Sequence, residues 1–161
     1  MKKSEPHNGL GALLEKGGIY YRLKGNTPKE AVNALIAEIP FQQIPSPENL
    51  LNAVLEREAL MATSIGKGIA LPHPRNPLAA GLAEQFVALA FLEKPVDWKA
   101  LDGKPVDSLF LIVAASAKLH LESLSKITFF CQQDAFLDLL KRRPPSEEII
   151  SFITETEQNW A

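Results

Sequence analysis

Cys131 is the single cysteine, so no disulfide can close within the chain, a pattern at home in a reducing compartment. No excess of one charge is present either: 17 basic against 19 acidic residues give a formal charge of −2. Bulk basicity therefore gives no reason to expect a nucleic-acid partner. Long hydrophobic runs are missing. The longest, such as Phe86–Leu92, are strand-sized and far short of a membrane span. The opening MKKSEPHNGLGALLEKGG has lysines but no apolar core of signal-peptide length. Metal signatures are absent too, with no CxxC, HExxH or EF-hand loop. These absences predict a cytoplasmic protein with no cofactor, no metal and no direct membrane insertion.

What is present is the material of one domain. A chain of 161 residues can bury most of its unfolded surface without a staple. Residues 1–18 read as a flexible lead-in with at most a helical turn at Leu10–Leu14, and residues 19–161 as the domain. Ile19–Leu23 predicts a strand. Thr27 predicts a helix cap, with Pro28 first in the helix and Glu30 three residues on. Pro40–Pro47 reads as a connector. Ser46 then predicts the cap of a helix from Pro47 to about Met61, with Leu50, Leu51, Val54, Leu55 and Met61 on its apolar side. Gly68–Leu71, Phe86–Leu92 and Val106–Ala115 predict strands. Helices are expected at about Ala117–Gln132, Ala135–Arg142 and Ser146–Gln158. Near-continuous apolar strands imply a sheet buried on both faces. The expected class is α/β: a mixed, mostly buried sheet flanked by helices on both faces, in three layers.

The candidate chemistry lies between Arg57 and His73. Helical spacing puts Arg57 beside Leu50, Val54 and Met61, with Glu58 in the same sector. Charges on a buried stripe must be paired, snorkel at the helix end, or face a cleft. Helical geometry leaves these open. The loop that follows has two hydroxyls, Thr63 and Ser64, and two glycines, Gly66 and Gly68. Glycines let backbone N–H groups turn towards an anion, although a plain tight turn is the commoner use. The loop is no Walker P-loop, since no Ser or Thr follows Lys67 and Met61 occupies the earlier glycine position. Ile69 likewise excludes a GxxG clamp.

His73 sits at a strand end between Pro72 and Pro74, which fix the backbone around it. His120 falls in the first turn of its helix and shares a face with Leu121, Leu124 and Ile127, which predicts an inward ring. A helix N-terminus disfavours imidazolium there. A satisfied core histidine is the plainer reading of His120 taken alone. His7 receives no role.

The stretch REALMATSIGKGIALPHPR, with KLHLESLSKI downstream, resembles the enzyme IIA domains of the fructose/mannitol/nitrogen-regulatory class of the bacterial phosphotransferase system. The similarity runs from about Ile19 onward. It implies a phosphocarrier in which His73 is phosphorylated by a histidine phosphocarrier protein. It implies that Arg57 and His120 stabilise the phosphoryl group, with Thr63 and Ser64 near it; Gly66 and Gly68, from the loop reading above, complete the expected phosphate-binding set. The chain would then be a phosphohistidine phosphotransferase component. Its partner would be a regulatory target, or in a transport relay the IIB domain of a fructose/mannitol-type permease. Regulation is favoured because no IIB or membrane domain is appended. A degenerate fold that binds partners without phosphorylation fits less well with Arg57, His73 and His120 all present. Pro74 departs from the glycine that often follows the active histidine in this family, and removes a backbone N–H there.

Overall fold

The computed structural model describes residues 9–40, 44, 46–76 and 85–159. Residues 1–8 of the expected lead-in, His7 among them, lie outside that set, as does part of the Pro40–Pro47 connector. Among the described residues, six helices and five strands follow in order: α1 Leu10–Gly17, β1 Ile19–Leu23, α2 Pro28–Glu38, α3 Pro47–Leu60, β2 Ser64–Gly66, β3 Ile69–Ala70, β4 Phe86–Val96, β5 Val106–Val113, α4 Ala117–Cys131, α5 Asp134–Arg142 and α6 Ser146–Gln158.

The strands form one mixed sheet in the order β1-β4-β5-β3-β2. β1 runs parallel to β4 and β3 parallel to β5, whereas β4–β5 and β2–β3 are antiparallel. Side chains of a strand alternate between faces, and here both faces are apolar. Phe86, Ala88, Ala90 and Leu92 of β4 pack with Leu109 and Leu111 of β5 against α2 and α3. Val87, Leu89 and Phe91 pack with Phe110 and Ile112 against α1, α4, α5 and α6. That is the expected three-layer arrangement.

Local rules explain most boundaries. The Thr27 hydroxyl accepts the Glu30 N–H at 3.1 Å, and the Glu30 carboxylate reaches back to the Asn26 N–H at 3.0 Å. Ser46 stands at the start of α3, but its side chain makes no capping bond. Two features were not foreseen. β2 forms where the sequence predicts a loop. The stretch before β1, expected to hold one turn at most, contains a two-turn helix with Leu10, Leu13 and Leu14 buried. Gly17 allows this packing: a Cβ there would come within 2.2 Å of the Val87 carbonyl oxygen on β4. The far end of the chain supplies the cap. Glu157 of α6 accepts the N–H groups of Leu10 and Gly11 at 2.9 and 3.0 Å, and pairs with Lys126 of α4 at 3.4 Å. Leu10–Gly17 is thus part of the core, not a lead-in to it.

Candidate functional site

β3 continues past Ala70 into Leu71-Pro72-His73-Pro74, and all four residues are buried. The ladder with β5 continues as well, since Ile112 N–H donates to the Pro72 carbonyl at 3.1 Å. On the other side, Leu71 N–H donates to the Thr63 carbonyl at 3.0 Å and Arg75 N–H to the Ala53 carbonyl at 3.3 Å. The histidine segment is therefore tied both to the sheet and to α3, one turn before Arg57.

His73 is 9% exposed. Its Nδ1 lies 2.8 Å from the Leu71 carbonyl oxygen. A carbonyl only accepts, so Nδ1 carries the proton and Nε2 keeps a free lone pair. Burial lowers the His73 pKa, and the Arg57 charge lowers it further; the Leu71 bond and the Glu58 carboxylate oppose this. The His120 ring lies with its centroid 4.5 Å from that of His73, tilted by 45°. Its pKa is lowered to about 4, first by burial and then by His73 and Arg57. Both rings are neutral at pH 7. Ser116 starts the helix that places His120, accepting the Leu119 N–H on its hydroxyl at 3.2 Å.

Arg57 makes no ion pair among the described residues. Its Nη1 donates to the Met61 carbonyl at 2.7 Å, which turns the guanidinium back over the helix end. Its charge is felt at both histidines. Of the sequence alternatives for Arg57, the salt bridge is thus not the one adopted. Glu58, which had no assigned part, accepts both the N–H of Thr63, at 3.2 Å, and its hydroxyl proton. That pair closes the turn between α3 and β2. A carboxylate in the same helical sector as an arginine, five residues before a threonine, was the signal for it.

The expected phosphate-binding set is split. His73, Arg57 and His120 come together. Thr63 is buried nearby, but both its donors are taken by Glu58. Ser64 is half-buried in β2, opposite Ala70. Gly66 and Gly68 lie at the other end of the ladder: from Gly68 to Pro72 the chain runs beside β5 for four residues, about 13 Å at strand rise. The turn's Lys67 N–H is bound by Asp102, not turned towards His73. Two apolar assignments also change. Met61 is 71% exposed because α3 ends at Leu60, and Leu121 is 62% exposed beside His120, outside the buried stripe of Ile127. Among the described residues, no group of three or more His, Cys, Asp or Glu could hold a metal ion, and no helix is long and apolar enough to cross a membrane.

Against known families, residues 12–156 match the family described as "Phosphoenolpyruvate-dependent sugar phosphotransferase system, EIIA 2". The chain belongs to this family. It is thereby a phosphotransferase-system IIA phosphocarrier of the fructose/mannitol/nitrogen-regulatory class. A nitrogen regulatory protein of Escherichia coli is 30% identical over 92% of this chain and 91% of its own length. One from Pseudomonas aeruginosa is 29% identical, over 92% and 96%. The fructose-specific EIIABC component of Bacillus subtilis is 29% identical over 91% of this IIA chain, but over only 23% of its own length. Among solved structures, the nitrogen regulatory protein IIA-Ntr of Neisseria meningitidis superposes with a TM-score of 0.76 at 27% identity, over 89% of this chain and 97% of that one.

Proposed function

We propose that His73 accepts a phosphoryl group on Nε2 from the phosphohistidine of a small carrier protein, and that the chain uses the phosphorylated state mainly as a regulatory signal. The observation that carries the first half is the Nδ1–Leu71 bond in a buried, uncharged ring. The Nε2 lone pair attacks phosphorus in line. The new N–P bond forms as the carrier's N–P bond breaks, and that electron pair stays on the carrier's imidazole. The transition state spreads charge over three equatorial oxygens, so positioning and positive charge supply the catalysis. Arg57 keeps guanidinium N–H groups besides the one on Met61, and these suit a planar oxyanion set. Neutral His120 can donate one hydrogen bond to the same group. Thr63 and Glu58 hold the turn that orients Arg57.

The regulatory half rests on the relatives. The nitrogen regulatory proteins match along nearly their whole length, the permease only in part. Identity alone does not separate the two, so the transport reading stays as the alternative, with a IIB domain as acceptor in place of a regulatory target.

Incubation with phosphoenolpyruvate, enzyme I and the histidine phosphocarrier should give one acid-labile phosphate, mapping to His73. Phosphate at another residue, or none, defeats the proposal. For regulation, pull-downs with His73→Ala and His73→Glu should differ in a bound partner, because phosphate adds roughly one to two negative charges at the mouth of the site. Rapid discharge to a sugar-specific IIB domain, with no state-dependent partner, would establish transport instead.

A further inference from the structure

Gly66, Lys67 and Gly68 all have positive φ, at 85°, 58° and 81°. Glycine adopts this region freely, whereas a lysine there is strained. The one side chain of this turn is therefore an ammonium held on a disfavoured backbone. It rims a cleft of about 460 Å³, far along the ladder from His73, together with Lys104 from the loop before β5 and Lys141 from α5. None of the three lysines closes an ion pair among the described residues.

The rim is assembled in advance. One oxygen of Asp102 accepts the Lys67 N–H at 2.8 Å and the other accepts the Lys104 N–H at 3.0 Å, so a single carboxylate locks two lysine-bearing turns together. Below them the Gly68 carbonyl accepts the N–H groups of both Asp107 and Ser108, at 2.9 and 3.1 Å. Such fixing removes ordering cost from any later binding event.

The walls combine opposite chemistries. Lysines supply cations, while Asp107 and Asp134 supply acceptors, and Ile69 and Leu137 give an apolar floor. A bare anion would meet the lysines but also the two carboxylates. A ligand with an anionic head and several hydroxyl donors satisfies both. A phosphate head offers three acceptor oxygens to the three lysines, where a carboxylate offers two. The volume falls in the range of small-molecule sites, roughly 300–1,000 Å³, with room well beyond a phosphate ion.

We propose that this cleft is a second ligand site, separate from the His73 centre, for a small phosphorylated polyol of the sugar-phosphate type. The lysines take the phosphate, and Asp107 and Asp134 accept from the hydroxyls. Backbone-amide NMR spectra of the whole unphosphorylated chain, titrated with glucose 6-phosphate, test it without any phosphoryl donor, so the result is independent of the role of His73. Saturable shifts are expected at Lys67, Gly68, Lys104, Asp107 and Lys141, weakening with salt, with none for glucose and roughly tenfold weaker binding of inorganic phosphate. Lys67→Gly should lose roughly tenfold in affinity, as should the pair Lys104→Ala and Lys141→Ala. The thermal midpoint of Lys67→Gly should stay level or rise, because glycine relieves the turn, so its lost affinity would not reflect unfolding. The proposal is overturned if glucose 6-phosphate gives no saturable shift, or if the shifts centre on His73. Equal binding of inorganic phosphate, or better binding of glutamate, would overturn it as well.

Discussion

At one end of the β3–β5 ladder His73 is buried, flanked by prolines, with its proton assigned by a carbonyl and its charge suppressed. At the other end Lys67 is exposed, flanked by glycines, with its charge in water and its backbone amide held by Asp102. Both ends fix geometry through residues with unusual backbone freedom or restriction. Their electrostatic outcomes are opposite. Burial removes the proton that would block a nucleophile, which suits a ring that forms a bond. Exposure leaves the lysine side chains open to solvent, which suits a ligand that comes and goes. On the proposed reading, one strand ladder would hold covalent and reversible phosphate chemistry a few residues apart, kept distinct by the difference in desolvation.

The sharpest way to break that contrast is His73→Ala, which should abolish acid-labile phosphate entirely while the fold persists; any residual phosphate found by peptide mapping would move the nucleophile elsewhere. Next in size is Arg57→Ala. Loss of one preorganised donor should slow phosphoryl transfer by about 10²–10³ in single-turnover measurements, with little change in thermal midpoint. A normal rate per folded molecule would reduce Arg57 to a helix-end contact with Met61.

The pH response should be smaller. His73 has its pKa below the ordinary histidine value, so the decline of transfer with falling pH should begin at lower pH than a solvent-exposed histidine would show. For stability, an unfolded His120 takes up a proton near 6.5, whereas the folded one does so only near about 4. Across that window the unfolded state binds more protons, so stability falls as pH drops through it and the loss stops growing below it. For a half-exposed ring, screened by solvent, this amounts to about 1 kcal/mol. Chemical unfolding at stepped pH should show a flatter profile for His120→Gln. The smallest effect belongs to the exposed end. Lys67→Gly should stabilise the chain by about 0.5–1 kcal/mol in urea titrations, through relief of the left-handed lysine.

Much of this was legible in the sequence, and the failures have physical reasons. α2 announced itself because Thr27, Pro28 and Glu30 act locally, through bonds within one turn. The bounds of α6 follow from Pro144, Pro145 and the Ser146 start in the same way. α1 was underestimated because its stability is not local: Gly11 and Gly17 are poor helix formers, and the helix persists only where β4 and α6 cover it. β2 is three residues long and takes its identity from pairing with β3. At the candidate site, Arg57, His73 and His120 each draw notice in the sequence, but only the resemblance groups them, because nothing in linear spacing brings residue 120 next to residue 73. The glycines were assigned to phosphate near His73 because glycine signals conformational freedom without direction. Only the pairing register shows that Gly66 and Gly68 serve a turn at the ladder's far end. Met61 and Leu121 were misread because periodicity does not mark where a helix stops being covered.

Glu157 has a bearing on chronology. The donors at the start of α1 find their acceptor 147 residues later in the chain. A helix this short has little stability of its own in water. As the polypeptide emerges, α1 is made 147 residues before its cap. The central strands and α4 can associate earlier, and α1 and α6 then close over them together. The same coupling runs in reverse in the finished molecule. An opening that lifts α6 withdraws the carboxylate from Leu10, Gly11 and Lys126 at once, so the first and last helices should exchange their amide hydrogens as one unit, ahead of β4 and β5.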